Sequence, residues 1–181
     1  MILRPLDIHN HILPGVDDGF RHTADSLEAL SLLAAAGVRE ITFTPHLNPE
    51  QFPDSSEERL LRRYEEFSAK IPESLGLKRG LAAEYMIVGG FEERVKREPE
   101  RLLCWPDRSI LVEMSYYFRS QNLEAAVMEL VLAGFRPILA HPERYLYMAD
   151  CLGDFDILRE NGCRFQCNYM SLLGTYGSGS I

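Results

Sequence analysis

The run Asp7-Ile8-His9-Asn10-His11 sets two imidazoles two residues apart, and Pro14-Gly15 and Asp17-Asp18-Gly19 follow closely. Side chains on an extended chain alternate with period two, so His9 and His11 face the same way and can reach one ion from a single strand end. The Asp17-Asp18 pair before Gly19 returns carboxylates to the same rim. Imidazole with carboxylate suits zinc, iron or manganese better than calcium or a cysteine-built structural site. The competing reading of His-x-His alone is a polar turn whose histidines only hydrogen-bond.

Positioning these residues falls to strands alternating with helices. Met1 to Ile8 reads as a short buried strand that stops at the His-x-His, and residues 12–22 as a loop. Thr23 is expected to cap a helix to about Ala36, with Leu27, Leu30 and Ala34 on one face and Gly37 past its end. Glu40 to Thr44 is the next strand, halted by Pro45-His46. Ser55 and Glu58 form a capping-box signature for a charged, outward-facing helix to about Lys70. Strands are expected at Leu77 to Glu84, Ser109 to Glu113, Arg136 to Ala140 and Cys163 to Cys167. Helices intervene near Phe91 to Lys96, after Asn122 (Leu123, Val127, Leu130 and Val131 at core spacing) and up to about Asn161. The last residues, 171–181, are small and polar and read as a frayed or cut end. Such alternation indicates an α/β fold of β/α units around a parallel sheet or barrel, although a closed eight-fold barrel usually needs about 250 residues.

Placement is the stronger signal. His9, His11, His46, Glu84, Glu113 and His141 each fall at the end of an expected strand, where parallel β/α folds build their sites. His22 alone among the five histidines sits elsewhere, in a loop before a helix, and reads as a surface residue. Each residue has a plainer explanation taken singly: His46 and His141 flank prolines, and Glu84 and Glu113 would escape a burial penalty as exposed rim carboxylates. Together they favour a metal site.

Composition narrows the partners. The 181 residues are 46% apolar and 25% charged, as in an ordinary globular domain, and are most economically one domain. The net charge of −8 argues against nucleic acid or an anionic membrane surface and is congenial to multivalent cations. No signal peptide or apolar membrane-spanning run is present in the sequence, so a cytoplasmic setting without membrane insertion is expected. Cys104, Cys151, Cys163 and Cys167 lack CxxC spacing and fit reduced thiols, with core packing the expected role of Cys163 and Cys167.

With these residues in place, the chain resembles the metal-dependent protein-tyrosine phosphatases of bacterial capsule and exopolysaccharide operons, within the polymerase and histidinol phosphatase (PHP) superfamily. The matching segments are Asp7 to Gly19, Thr44-Pro45-His46, Ala83-Glu84-Tyr85, Val112-Glu113-Met114-Ser115 and Ala140-His141-Pro142-Glu143-Arg144-Tyr145. Phe165-Gln166-Cys167-Asn168 with Ser171-Leu172-Leu173-Gly174 adds a further match, so the likeness runs along the whole chain. It implies a distorted (β/α)7 PHP-type barrel, here incomplete with about six β/α units.

The resemblance also implies a cofactor and roles. Up to three divalent ions are expected, manganese first, with iron, zinc or magnesium as substitutes. His9, His11 and Glu84 would hold one ion, Glu84 would bridge to a second shared with Glu113 and His141, and Asp18 and His46 would hold the third. Asp17 matches no ligand, and Arg144 matches an arginine that clamps the substrate phosphate. A metal-bridged hydroxide would then attack phosphorus in line, with the ions and Arg144 neutralising the equatorial oxygens. The implied substrate is a phosphotyrosine protein, the C-terminal tail of a tyrosine autokinase that regulates polymer synthesis. Cysteine-based phosphatase chemistry is excluded independently, because Ile110, Ile157, Tyr169 and Leu173 stand where an arginine six residues after each cysteine is required.

One departure from the family pattern carries an expectation. The family continues through a seventh strand ending in an Asp-x-His motif, whereas this sequence stops at Gly177-Ser178-Gly179-Ser180-Ile181. The absent Asp and His would each supply a ligand, so weakened manganese-dependent turnover is expected, as is pairing of open sheet edges between copies in a homo-oligomer. Two alternatives stand beside a protein-tyrosine phosphatase: a histidinol-phosphatase-like enzyme for a small ester, and a catalytically weak module that binds a kinase tail.

Overall fold

Ile41, Thr42 and Phe43 bring β-branched and aromatic side chains to residues 40–43, which favours an extended backbone there. In the computed structural model, which describes residues 5–148 and 152–175, the chain forms two compact units, residues 1–83 and 84–181. The first contains β1 (Leu6–Asp7), α1 (Thr23–Ala35), β2 (Glu40–Phe43), β3 (His46–Leu47), α2 (Glu57–Ser68) and β4 (Lys78–Leu81). Its parallel sheet runs β1-β2-β4, with Asp7 opposite Ile41 and Phe43 opposite Leu81. Ile41 and Phe43 are wholly buried, and Phe43 meets Phe67 of α2 edge-on at 5.8 Å. Leu30 of α1 and Leu60 of α2 are also fully buried core residues.

The second unit contains β5 (Glu84–Met86), α3 (Phe91–Arg97), β6 (Ser109–Glu113), α4 (Leu123–Leu132), β7 (Arg136–Ala140), α5 (Leu152–Glu160), β8 (Arg164–Gln166) and α6 (Tyr169–Leu172). β5, β6, β7 and β8 pair in that order, all parallel, with Val112 opposite Leu139 and Ala140 opposite Gln166. Every residue of β6 is buried, as expected of an interior parallel strand covered on both faces. α4 buries Leu123, Ala126, Val127 and Leu130, packs on β7 and α3, and gives way at Gly134, whose φ of +82° only glycine adopts readily.

The α/β reading with parallel strands holds, and β6 and β7 match their expected spans residue for residue. Several boundaries differ. β1 is only two residues long and Leu6 is 52% exposed, so the described part of that strand is not a buried one. The expected strand from Leu77 to Glu84 breaks at Ala82-Ala83, and Glu84 opens β5 rather than closing a strand. His22, exposed as expected, takes the N-cap position of α1 in place of Thr23, without a side-chain bond. Ser56 caps α2, accepting from the Arg59 N–H at 3.3 Å, because Ser55 is occupied in donating to the His46 carbonyl. Val131 is exposed rather than core, as is Cys167, whereas Cys163 is buried as expected and Cys151 lies outside the described residues. Among the described residues no helix is long and apolar enough to cross a membrane.

Candidate metal centre

The sequence places a donor between the first two histidines, and that donor shapes the first half of the site. Asn10 Nδ2 donates to Asp7 Oδ1 at 3.1 Å and to the Thr42 carbonyl at 2.9 Å. The Asn10 N–H donates to Thr44 Oγ1, while the Asn10 carbonyl accepts from the Thr44 hydroxyl and N–H. The segment beyond β1 is therefore pinned to the end of β2, and His9 and His11 are held with ring centroids 5.5 Å apart. Neither histidine lies within the strand itself: the chain has already left it and bends at His9, so it is the ring proximity, rather than a strand's alternation, that places the two imidazoles side by side.

The Asp17-Asp18-Gly19 turn closes against that segment. The Phe20 N–H donates to the His11 carbonyl, and the backbone of Gly19 passes so close that a Cβ there would lie 2.1 Å from the His11 carbonyl oxygen. Only glycine permits this approach. Asp17 accepts from His11 Nδ1 at 2.8 Å, from the His46 N–H at 3.0 Å and from the Gly19 N–H at 3.0 Å. Burial works to raise its carboxyl, but the His11 hydrogen bond and charge and the two backbone N–H groups outweigh it and hold the group below the usual carboxylate range. Asp18 points its Oδ1 to within 3.5 Å of His46 Nε2, and the His11 and His46 rings lie 4.3 Å apart. Phe52 stacks on the His46 ring at 5.9 Å.

One ligand atom from each of His11, Asp18 and His46 lies within 4.8 Å of the others. Donors about 2.1 Å from a shared ion are separated by about 3–4 Å, so small side-chain movements bring all three into coordination distance. Two imidazoles and a carboxylate form an N/O donor set suited to manganese, iron or zinc.

The second unit carries the remaining expected residues. Glu84 Oε1 lies 3.0 Å from His141 Nε2, with both side chains buried. Glu113, at the end of β6, is buried as well. The plainer explanation of the two glutamates, as exposed rim carboxylates, is thus set aside: both are buried, and Glu84 accepts a hydrogen bond where it is buried. His141 adopts φ +32° and ψ +54°, a left-handed conformation uncommon for a side-chain-bearing residue. It turns the chain out of β7 while its N–H still donates to the Gln166 carbonyl at 2.6 Å. Strain of this kind concentrates at working sites.

A single helical turn, Pro142–Arg144, follows and is fastened on three sides. Glu143 Oε1 accepts from the Asn168 N–H at 2.9 Å and from the Ser171 hydroxyl at 2.6 Å. Tyr145 is buried, and its hydroxyl accepts from the Met114 N–H at 3.1 Å, directly after Glu113. Burial pushes that hydroxyl well above the usual tyrosine range; the Met114 bond opposes the shift, and the Glu113 and Glu84 carboxylates add to it. The Arg144 guanidinium lies over the Tyr116 ring, 4.4 Å from its centroid.

Within the first unit the structure brings His11, Asp18 and His46 together and sets His9 beside His11. Within the second it brings Glu84 to His141 and carries Arg144 three residues beyond His141 on the same turn. Sequence reasoning missed Asn10, Glu143 and Tyr116 as supports. The signal for Asn10 was its position between two candidate ligands; that for Glu143 was its place in the His141 to Tyr145 run.

Comparison with known proteins follows this geometry. Residues 5–180 match the family described as capsular polysaccharide synthesis, CpsB/CapC. The tyrosine-protein phosphatase YwqE of Bacillus subtilis is 31% identical over 175 residues, covering 95% of this chain and 67% of the relative. The tyrosine-protein phosphatase CpsB of Streptococcus pneumoniae is 27% identical over 166 residues, covering 90% of this chain and 67% of the relative. A solved chain from the crystal structures of these two proteins, described as unique metal-dependent tyrosine phosphatases, superposes with a TM-score of 0.85. It is 29% identical, and the match covers 97% of this chain and 71% of that one. The likeness shows the PHP-type α/β fold.

Proposed function

We propose that this chain, which belongs to the CpsB/CapC family of capsular polysaccharide synthesis, is a metal-dependent phosphatase acting on phosphotyrosine in proteins. The His11, Asp18 and His46 cluster carries this reading, since it offers an N/O donor set on a chain whose relatives are metal-dependent tyrosine phosphatases. His9, His11, Asp18 and His46 are the metal ligands of the first unit; Glu84, Glu113 and His141 are those of the second. Manganese is the first choice among divalent ions on the family resemblance, with iron, zinc or magnesium as substitutes at this mixed imidazole and carboxylate set. Bound divalent ions supply Lewis-acid activation of water and neutralise phosphoryl charge.

The chain's own residues orient the ester. Arg144 offers paired N–H donors that match two phosphoryl oxygens in a bidentate clamp, and the Tyr116 ring beneath keeps the guanidinium plane from rotating away. Hydrolysis forms a bond from a water oxygen to phosphorus and breaks the bond from phosphorus to the phenolic oxygen; the phenolate departs and is neutralised to tyrosine by the proton that the water gives up. A phenolate is a fair leaving group, so positioning and electrostatics suffice and no phosphoenzyme is needed. The substrate we assign is the C-terminal tail of a tyrosine autokinase that governs capsule or exopolysaccharide synthesis.

Turnover of a phosphotyrosine peptide and of para-nitrophenyl phosphate, with manganese and after chelation, tests the reading. Manganese-dependent release of phosphate from both is expected, and Arg144→Lys should lower kcat/KM on both by about tenfold or more through loss of the bidentate clamp. Peptide hydrolysis that survives chelation, or none with any divalent ion, would refute it.

A further inference from the structure

Asp17 makes no metal contact in the scheme above, yet it is the most fully satisfied carboxylate in the first unit's centre. Its side chain is 0% exposed, while that of neighbouring Asp18 is 61% exposed. A single oxygen, Oδ2, accepts from the ring of one candidate ligand, His11 at 2.8 Å, and from the backbone N–H of another, His46 at 3.0 Å. The second oxygen, Oδ1, accepts from the Gly19 N–H.

We propose that Asp17 is the positioning residue of this centre, fixing His11 in the tautomer that leaves Nε2 for a divalent ion and setting the His46 segment beside it. An ionised carboxylate only accepts hydrogen bonds, so Nδ1 of a neutral His11 must carry the proton. The lone pair then resides on Nε2, the nitrogen turned away from Asp17. Because the same oxygen also holds the His46 backbone, the spacing of the two imidazoles is set through one atom. A simple turn-closing role would require only the Gly19 contact and would leave the His11 tautomer to chance. The proposal rests on the reading of His11 and His46 as ligands, and its test separates the two.

The decisive measurement is the nitrogen-15 NMR spectrum of His11 in the metal-free protein, followed by zinc and manganese titration by calorimetry. Wild-type His11 is expected to be protonated at Nδ1. Asp17→Asn should shift His11 toward the Nε2-protonated form and weaken metal binding by about 10–100-fold, the usual effect of losing a ligand's supporting hydrogen bond. Asp18→Asn should weaken binding without altering the His11 tautomer. Wild-type His11 protonated at Nε2 overturns the proposal without recourse to any variant. So does a folded Asp17→Asn protein that binds metal as tightly as wild type. A wild-type protein with the expected tautomer that binds neither ion would instead refute the metal reading, leaving the orientation of His11 by Asp17 intact.

Discussion

Glu84 and His141 meet at 3.0 Å between Oε1 and Nε2, with side-chain exposures of 0% and 2%. Removing one partner of such a buried pair commonly costs about 3–5 kcal/mol, because the other stays desolvated. Glu84→Ala should therefore lower stability in denaturant titrations of the metal-free protein by about 3 kcal/mol, whereas Glu84→Gln retains a hydrogen-bonding group and should cost less. Both should lose manganese-dependent turnover. Equal stabilities for the two variants would show that the contact contributes little to the fold.

Gly19 offers a sharper steric prediction. A Cβ at this position would lie 2.1 Å from the His11 carbonyl oxygen and 2.5 Å from the His11 Cβ, and neither atom is the far end of a flexible side chain. Gly19→Ala should destabilise the protein by about 2 kcal/mol or more through enforced backbone displacement, an overpacking effect. It should also weaken metal binding, since the atom that moves belongs to a candidate ligand. A melting curve and calorimetry check the two effects separately.

Tyr145 links stability to the site in a different way. Its hydroxyl accepts from the N–H of Met114, immediately after Glu113. Tyr145→Phe removes that acceptor and should cost about 1–3 kcal/mol, the desolvation penalty of a buried donor left without its bond. Metal affinity should fall alongside, because the end of β6 loses its anchor. An unchanged unfolding midpoint would contradict the assignment.

Cys163 supplies a pH dependence. Burial pushes its thiol from the ordinary 9.0 up to about 11, against weaker opposing effects from the Leu139 backbone and Arg164. A raised acid pKa means that the native state holds the proton more tightly than the unfolded chain. The resulting stability is fully present below pH 9 and is lost as pH rises through about 11. Denaturant midpoints measured between about pH 8 and pH 10.5 should fall less steeply for Cys163→Ala than for wild type. Alkylation of the native protein should reach exposed Cys167 before Cys163.

Residue types and spacing were enough to read the alternation of strands and helices and to single out His9, His11 and His46 by their place near strand ends, because strand-end placement is a local rule, whereas the choice of Asp18 over Asp17 rested on the family resemblance. The break at Ala82-Ala83 was not legible: an apolar run from Leu81 to Ala83 carries no glycine or proline to interrupt it. Nor was the burial of Glu84 and Glu113, which depends on a hydrogen bond to His141 across 57 residues of chain in the first case. Capping was misread by one residue where two serines compete, since only tertiary structure shows that Ser55 is committed to the His46 carbonyl. The support given by Asn10 and Asp17 escaped notice for a similar reason, as each acts through partners distant in sequence.

The mutual lock between Asn10 and Thr44 spans 34 residues and closes only when β1 lies alongside β2. His9 and His11 are thus not arrayed until the sheet of the first unit has assembled. On the proposed reading, ion capture at this end of the chain would therefore follow sheet assembly, unlike the metal-nucleated collapse of a zinc finger. Manganese should slow unfolding by stabilising the finished state yet leave the refolding rate unchanged, so that in a chevron plot only the unfolding limb moves. A refolding limb accelerated by manganese would place ion binding ahead of sheet formation.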